Sequence, residues 1–94
     1  MADLDVKQAV DIAKRYVSDL FSEEGIVNLG LEEVAYDDAR SVWRITLGFS
    51  RVRDLGGREL NHMFATARRD YKVVAIDNSG RVLSVKNRES AYAS

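Results

Sequence analysis

The one imidazole in the chain, His62, sits beside Met63 and is the only side chain whose ordinary pKa suits general acid–base work near neutrality. Such a base needs a nucleophile held against it. No Gly-x-Ser-x-Gly turn feeding a helix is present to supply one, and His62 reads as a solvated loop histidine. The acidic pairs Glu32-Glu33 and Asp37-Asp38 are oxygen donors of the kind Mg²⁺ or Ca²⁺ takes. Neighbouring strand residues point to opposite faces, however, so neither pair converges on one ion. Asp77-Asn78-Ser79-Gly80 begins like a calcium loop, but its glycine stands fourth where an EF-hand needs it sixth, and it reads as a turn. Gly56-Gly57 leads into Arg58-Glu59-Leu60 without the longer glycine pattern of a phosphate cradle, and reads as a flexible loop tip. With no cysteine anywhere, thiol nucleophiles, disulfides, iron–sulfur clusters and cysteine-bearing zinc sites are all excluded. These residues call for no catalysis, no metal and no cofactor.

Charge is more informative than any of these motifs. The formal net charge of −1 hides two opposed blocks. Residues 1–39 hold three cations (Lys7, Lys14 and Arg15) against ten carboxylates, and residues 40–94 hold eleven cations against five carboxylates. Blocks of this size govern long-range fields and association rather than fold. Arg51, Arg53, Arg58, Arg68 and Arg69 flank one long loop, and pairing of the strands on either side would gather them into a positive lobe. Either that lobe meets an acidic partner, or the acidic first segment neutralises it within the fold or across a dimer. Nucleic-acid binding is the weaker alternative, since the overall balance is not basic and no aromatic stacking motif is present.

The elements that must position these residues are legible in the apolar spacing. Ninety-four residues, 46% hydrophobic and 31% charged, suit one globular domain spanning 1–94. The start, Met1-Ala2-Asp3-Leu4-Asp5, is acidic where a secretory signal is basic, and no apolar run approaches the ~20 residues that span a bilayer. A cytoplasmic protein without membrane contact is the expectation.

Val6, Ala9, Val10, Ile12, Ala13, Tyr16, Val17, Leu20 and Phe21 follow the 3–4 spacing of an amphipathic helix. Asp3 or Asp5 serves as its cap and Gly25 as its exit. Leu29, Leu31, Val34 and Tyr36 change phase between 31 and 34, which predicts a first strand with a bulge. Asp38-Ala39-Arg40-Ser41 is the connection to a second strand in which Trp43, Ile45, Leu47 and Phe49 alternate with Arg44, Thr46, Gly48 and Ser50, a half-buried pattern with one apolar face. A third strand, roughly 67–77, is apolar on both faces and therefore central. Asn78-Ser79-Gly80 turns it into a returning strand at 81–86, and the tail over 86–94 frays. The eleven residues from Arg53 to Met63 form a loop long enough to be functional or mobile.

The order of these elements, ending in Tyr71-Lys72-Val73-Val74-Ala75-Ile76-Asp77-Asn78-Ser79-Gly80-Arg81-Val82-Leu83-Ser84-Val85-Lys86, resembles the PepSY-type, cystatin-like small domains. That resemblance implies inhibition or binding of other proteins, peptidases among them, without catalytic residues. The cystatin glutamine–valine–glycine loop has no counterpart in Gly56-Gly57-Arg58.

The expectation is thus an α+β domain with an N-terminal helix on a four-stranded antiparallel meander, acting as a non-enzymatic protein-binding or regulatory module. One helix covers one side of such a sheet, which leaves the other for a protein partner or a second copy. Trp43 is the candidate anchor, and Arg51, Arg53, Arg58, Arg68 and Arg69 are the candidate electrostatic contacts. The rival reading is a small-molecule pocket between helix and sheet, lined by Tyr16, Trp43 and Tyr71.

Overall fold

The computed structural model describes residues 3–52 and 69–88. Helix α1 runs Val6–Leu20. Its start is fixed by a reciprocal capping box: the Gln8 N–H donates to Asp5 Oδ1 at 2.8 Å, and the Asp5 N–H donates to Gln8 Oε1 at 2.9 Å. Two orphan donors are thereby satisfied. Among the apolar positions of the helix, only Ala9, Ala13 and Val17, four residues apart in turn, are fully buried. Small residues at the first two let the helix axis approach the sheet closely. After Phe21 a 3₁₀ turn, Ser22–Glu24, ends at Gly25, whose φ of 61° is the left-handed conformation that a side chain opposes.

Among the described residues four strands follow, β1 Ile26–Asp37, β2 Val42–Arg51, β3 Asp70–Asp77 and β4 Val82–Asn87, in the spatial order β1-β2-β3-β4 with every pair antiparallel. This is the expected α+β meander. The phase change in β1 corresponds to a register irregularity between Leu31 and Glu33, and a second one lies between Val27 and Gly30, where Asn28 takes a φ of 58°. Asparagine is among the few side-chain-bearing residues that tolerate that region. Strand β3 starts at Asp70, and residues 67 and 68 lie outside the described residues. Asn87, expected in the tail, is still paired: it faces Lys72, whose ammonium donates to its side-chain oxygen.

The core is one layer between α1 and the sheet, formed by Ala9, Ala13, Val17, Ile45, Leu47, Phe49, Val74 and Ile76, all at 0% exposure. Each of the larger side chains contributes about 1.5–3 kcal/mol by leaving water. The register corrects one expectation. Strand β2 is buried on both faces from Ile45 to Ser50, because Thr46 and Ser50, directed away from the helix, are buried as well. Between them Gly48 lies beneath the ends of Glu32 from β1, Tyr71 from β3 and Arg69 just before β3, long side chains that lean over the short residues of β2.

Candidate interaction surface

Three regions hold the side chains of interest, and the register determines which of them meet. At one end of the sheet, on the helix side, Arg51 is only 13% exposed and its guanidinium donates to the carboxylates of both Glu24 and Asp70. The two acceptors, Asp70 first, hold the guanidinium above its ordinary range. Its carbon also lies 5.3 Å from the Phe49 ring centre and 6.0 Å from that of Phe21, and the two rings stand 5.4 Å apart. Lys72 adds a second cation 5.5 Å from the Phe21 ring. The chain is tied to the same place by the Val52 N–H, which donates to the Gly25 carbonyl at 2.9 Å. Arg51 therefore joins the helix exit, the end of β2 and the start of β3.

Arg69 lies on the face away from the helix. Its Nη1 donates to the Asn28 carbonyl at 3.0 Å and its Nη2 to Glu32 Oε2 at 3.3 Å, so it straps the irregular stretch of β1 across the glycine floor at Gly30 and Gly48. Beyond it, Arg88 stacks 3.9 Å over the Tyr71 ring. Arg44 on the same face pairs with Asp37 at 3.2 Å. Of the five arginines expected to form a lobe, Arg51 and Arg69 thus point to opposite faces, and each is met by a carboxylate of the acidic first segment, Glu24 or Glu32. At these two positions the opposed charge blocks neutralise each other within the fold. Arg53, Arg58 and Arg68, with His62 and the Gly56-Gly57 pair, lie outside the described residues.

Trp43 packs on the helix side against the core, its ring 4.7 Å from that of Tyr36, and its buried Nε1 has no acceptor among the described residues. The Tyr36 hydroxyl in turn accepts from Asn78 at 2.7 Å, so these rings close the core at the end where both hairpins turn. Tyr71 pairs with Gly48 and belongs to the other face, so Tyr16, Trp43 and Tyr71 do not line one pocket.

Both hairpin turns are held by aspartates placed on either side of Val42, which pairs with Asp37 in β1 and with Asp77 in β3. Asp77 Oδ1 accepts from the Ser79 hydroxyl at 2.6 Å, the Ser79 N–H at 2.9 Å and the Arg81 N–H at 3.0 Å. The hydrogen bond from the Ser79 side chain, more than any other contact, keeps its carboxyl below the ordinary range. Asp37 is lowered chiefly by the Arg44 hydrogen bond, with the Arg40 N–H adding to it.

The third region carries no motif in the sequence. Between α1 and β1, an outer strand of the sheet among the described residues, run two adjoining shallow depressions of about 570 and 340 Å³ that share Lys14. Val6, Val10, Leu29 and Leu31 supply apolar walls, with Val6 43% and Leu31 44% exposed. The groove also carries all three cations of the acidic segment. Arg15 pairs with Asp11 at 3.1 Å, while Lys7 and Lys14 enter no ion pair among the described residues. One sequence signal does point to this surface: α1 has more apolar positions than the Ala9–Ala13–Val17 stripe needs, and Val6 and Val10 are part of the excess. No family model, curated protein or solved structure matches this chain.

Proposed function

We propose that this protein is a non-enzymatic protein-binding module whose contact surface is the groove between α1 and the edge strand β1. The observation that carries the reading is the exposure of Val6 and Leu31 in one continuous groove with Val10 and Leu29, flanked by Lys7 and Lys14, which have no ion-pair partner among the described residues. Contiguous apolar surface of this kind is costly to leave in water and marks contact sites. Arg51 and Arg69 are already held by Glu24, Asp70 and Glu32, so an acidic partner would have to break these pairs to use them. That moves the contact from the arginines to the groove. A binding role without catalysis also agrees with the likeness of the last hairpin to PepSY-type and cystatin-like domains.

A photo-crosslinking residue placed at position 31 tests this in cell extract, with the same probe at position 71 on the opposite face as control. Protein adducts at 31 in excess of those at 71 are expected. Equal yields at both positions, or adducts only at 71, would overturn the reading.

A further inference from the structure

With Asp11 held by Arg15 at 3.1 Å, the charge left around the apolar part of the groove is positive. Lys7 and Lys14 bracket Val10 along the helix, beside Val6 and Leu31, and neither lysine enters an ion pair among the described residues. Two turns of helix separate them, ~10.5 Å along the axis. The other carboxylate that lines the groove, Asp19, lies in the adjoining depression with Ser18 and Ser22. All three cations of residues 1–39 line the groove, against two of the ten carboxylates of that segment. A strongly acidic stretch of chain thus gathers its positive charge at the one apolar surface described above.

The neighbouring strand limits the form of an occupant. An outer strand recruits another strand through an even row of backbone N–H and C=O groups, and bulges spoil that row. Along the groove β1 is irregular twice, between Val27 and Gly30 and between Leu31 and Glu33. Asn28 has a φ of 58°, and its carbonyl already accepts from Arg69 at 3.0 Å. A partner is therefore met by side chains rather than by a backbone ladder, the way an amphipathic helix lies in a groove.

We infer that the occupant of the groove is an acidic amphipathic helix of another protein. This rests on the groove being the contact surface and names the chemistry of its partner. An apolar stripe of the partner helix covers Val6, Val10, Leu29 and Leu31, and two carboxylates about two turns apart on its flank meet Lys7 and Lys14.

Two synthetic helical peptides with the same leucine stripe, one flanked by glutamates at that spacing and the other by lysines, are titrated into the full chain by fluorescence anisotropy at low salt. The glutamate peptide is expected to bind about tenfold more tightly than the lysine peptide or more, and more tightly than a scrambled peptide of its own composition. Lys7→Glu with Lys14→Glu reverses the preference, and circular dichroism melting verifies that this variant folds. Equal affinities, a scrambled peptide that binds as well, or a preference that survives the charge reversal would each overturn the inference. So would binding of neither peptide, or self-association of the chain through the groove in its place. The position-31 probe in extract separates the two levels: protein capture there with no acidic preference removes the acidic helix and keeps the groove, whereas no capture removes both.

Discussion

Arg51 and Arg69 flank the same stretch of sequence yet project to opposite faces of the sheet, Arg51 over the Phe21 and Phe49 rings and Arg69 over Gly48. Alternation along paired strands makes this unavoidable once Phe49 is in register with Asp70. Two cations that flank one loop in the sequence are separated by the thickness of the sheet, and each binds a carboxylate from the first segment of the chain.

The Arg51 contacts bridge elements distant in sequence, with Glu24 twenty-seven positions and Asp70 nineteen positions away. Arg51→Met keeps the packing on the two phenylalanines and leaves both carboxylates without this partner. A loss of about 1–3 kcal/mol in chemical denaturation is expected. An unchanged midpoint would mean the clamp contributes nothing.

The strap formed by Arg69 depends on the absence of a side chain at Gly48, where a Cβ would meet Arg69 Nη2 at 2.8 Å and Tyr71 Cε1 at 2.9 Å. Gly48→Val should cost about 1–3 kcal/mol through overpacking. Gly30→Ala, whose Cβ would meet, among the described residues, Arg69 Nη2 alone at 3.8 Å, should stay within about 0.5 kcal/mol. Thermal melts of the two variants side by side give the comparison, and equal losses would contradict it.

Acid sensitivity should originate at the two hairpin turns. Asp37 and Asp77 both have carboxyls lowered by hydrogen bonds that favour the ionised form. A depressed folded-state pKa adds stability that is fully present above the unfolded aspartate value of about 3.9 and is lost as pH falls through the lower folded one. Denaturation measured from neutral pH down to pH ~2 should show this acid limb. An Asp37→Asn, Asp77→Asn double variant, less stable at neutrality, should have a flatter limb. An equally steep one would place the proton uptake elsewhere.

Much of the architecture is legible in the sequence because periodicity and turn chemistry are local signals. The 3–4 spacing after Asp5, the strict alternation from Trp43 to Phe49, the phase slip between Leu31 and Val34 and the Asn78-Ser79-Gly80 turn all reappear as elements or irregularities of the fold. The left-handed Asn28 is not legible, since asparagine is common in ordinary conformations too. Nor are the partners of the arginines. Glu32 and Arg69 lie thirty-seven positions apart and meet only because β1, β2 and β3 are in register. The groove is hidden for the same reason: Leu31 is one more apolar strand residue until α1 is known to pass beside the β1 edge without covering it.

Leu31→Lys separates surface from core. With Leu31 nearly half exposed, the substitution should alter folding stability by no more than about 0.5 kcal/mol and should abolish protein adducts formed from a probe placed at position 6 of the same groove. Loss of stability comparable to an Ile45→Ala change, about 2–5 kcal/mol, would show Leu31 to be structural instead.

Backbone amide chemical shifts of the isotope-labelled protein, recorded alone and in unlabelled cell extract, locate the contact residue by residue. The account predicts shifts or line broadening in extract at Lys7, Val10, Asp11, Lys14, Ser18, Leu29 and Leu31, with Arg44, Tyr71 and Val73 on the opposite face unmoved. Changes confined to that opposite face, or none at all, would contradict it.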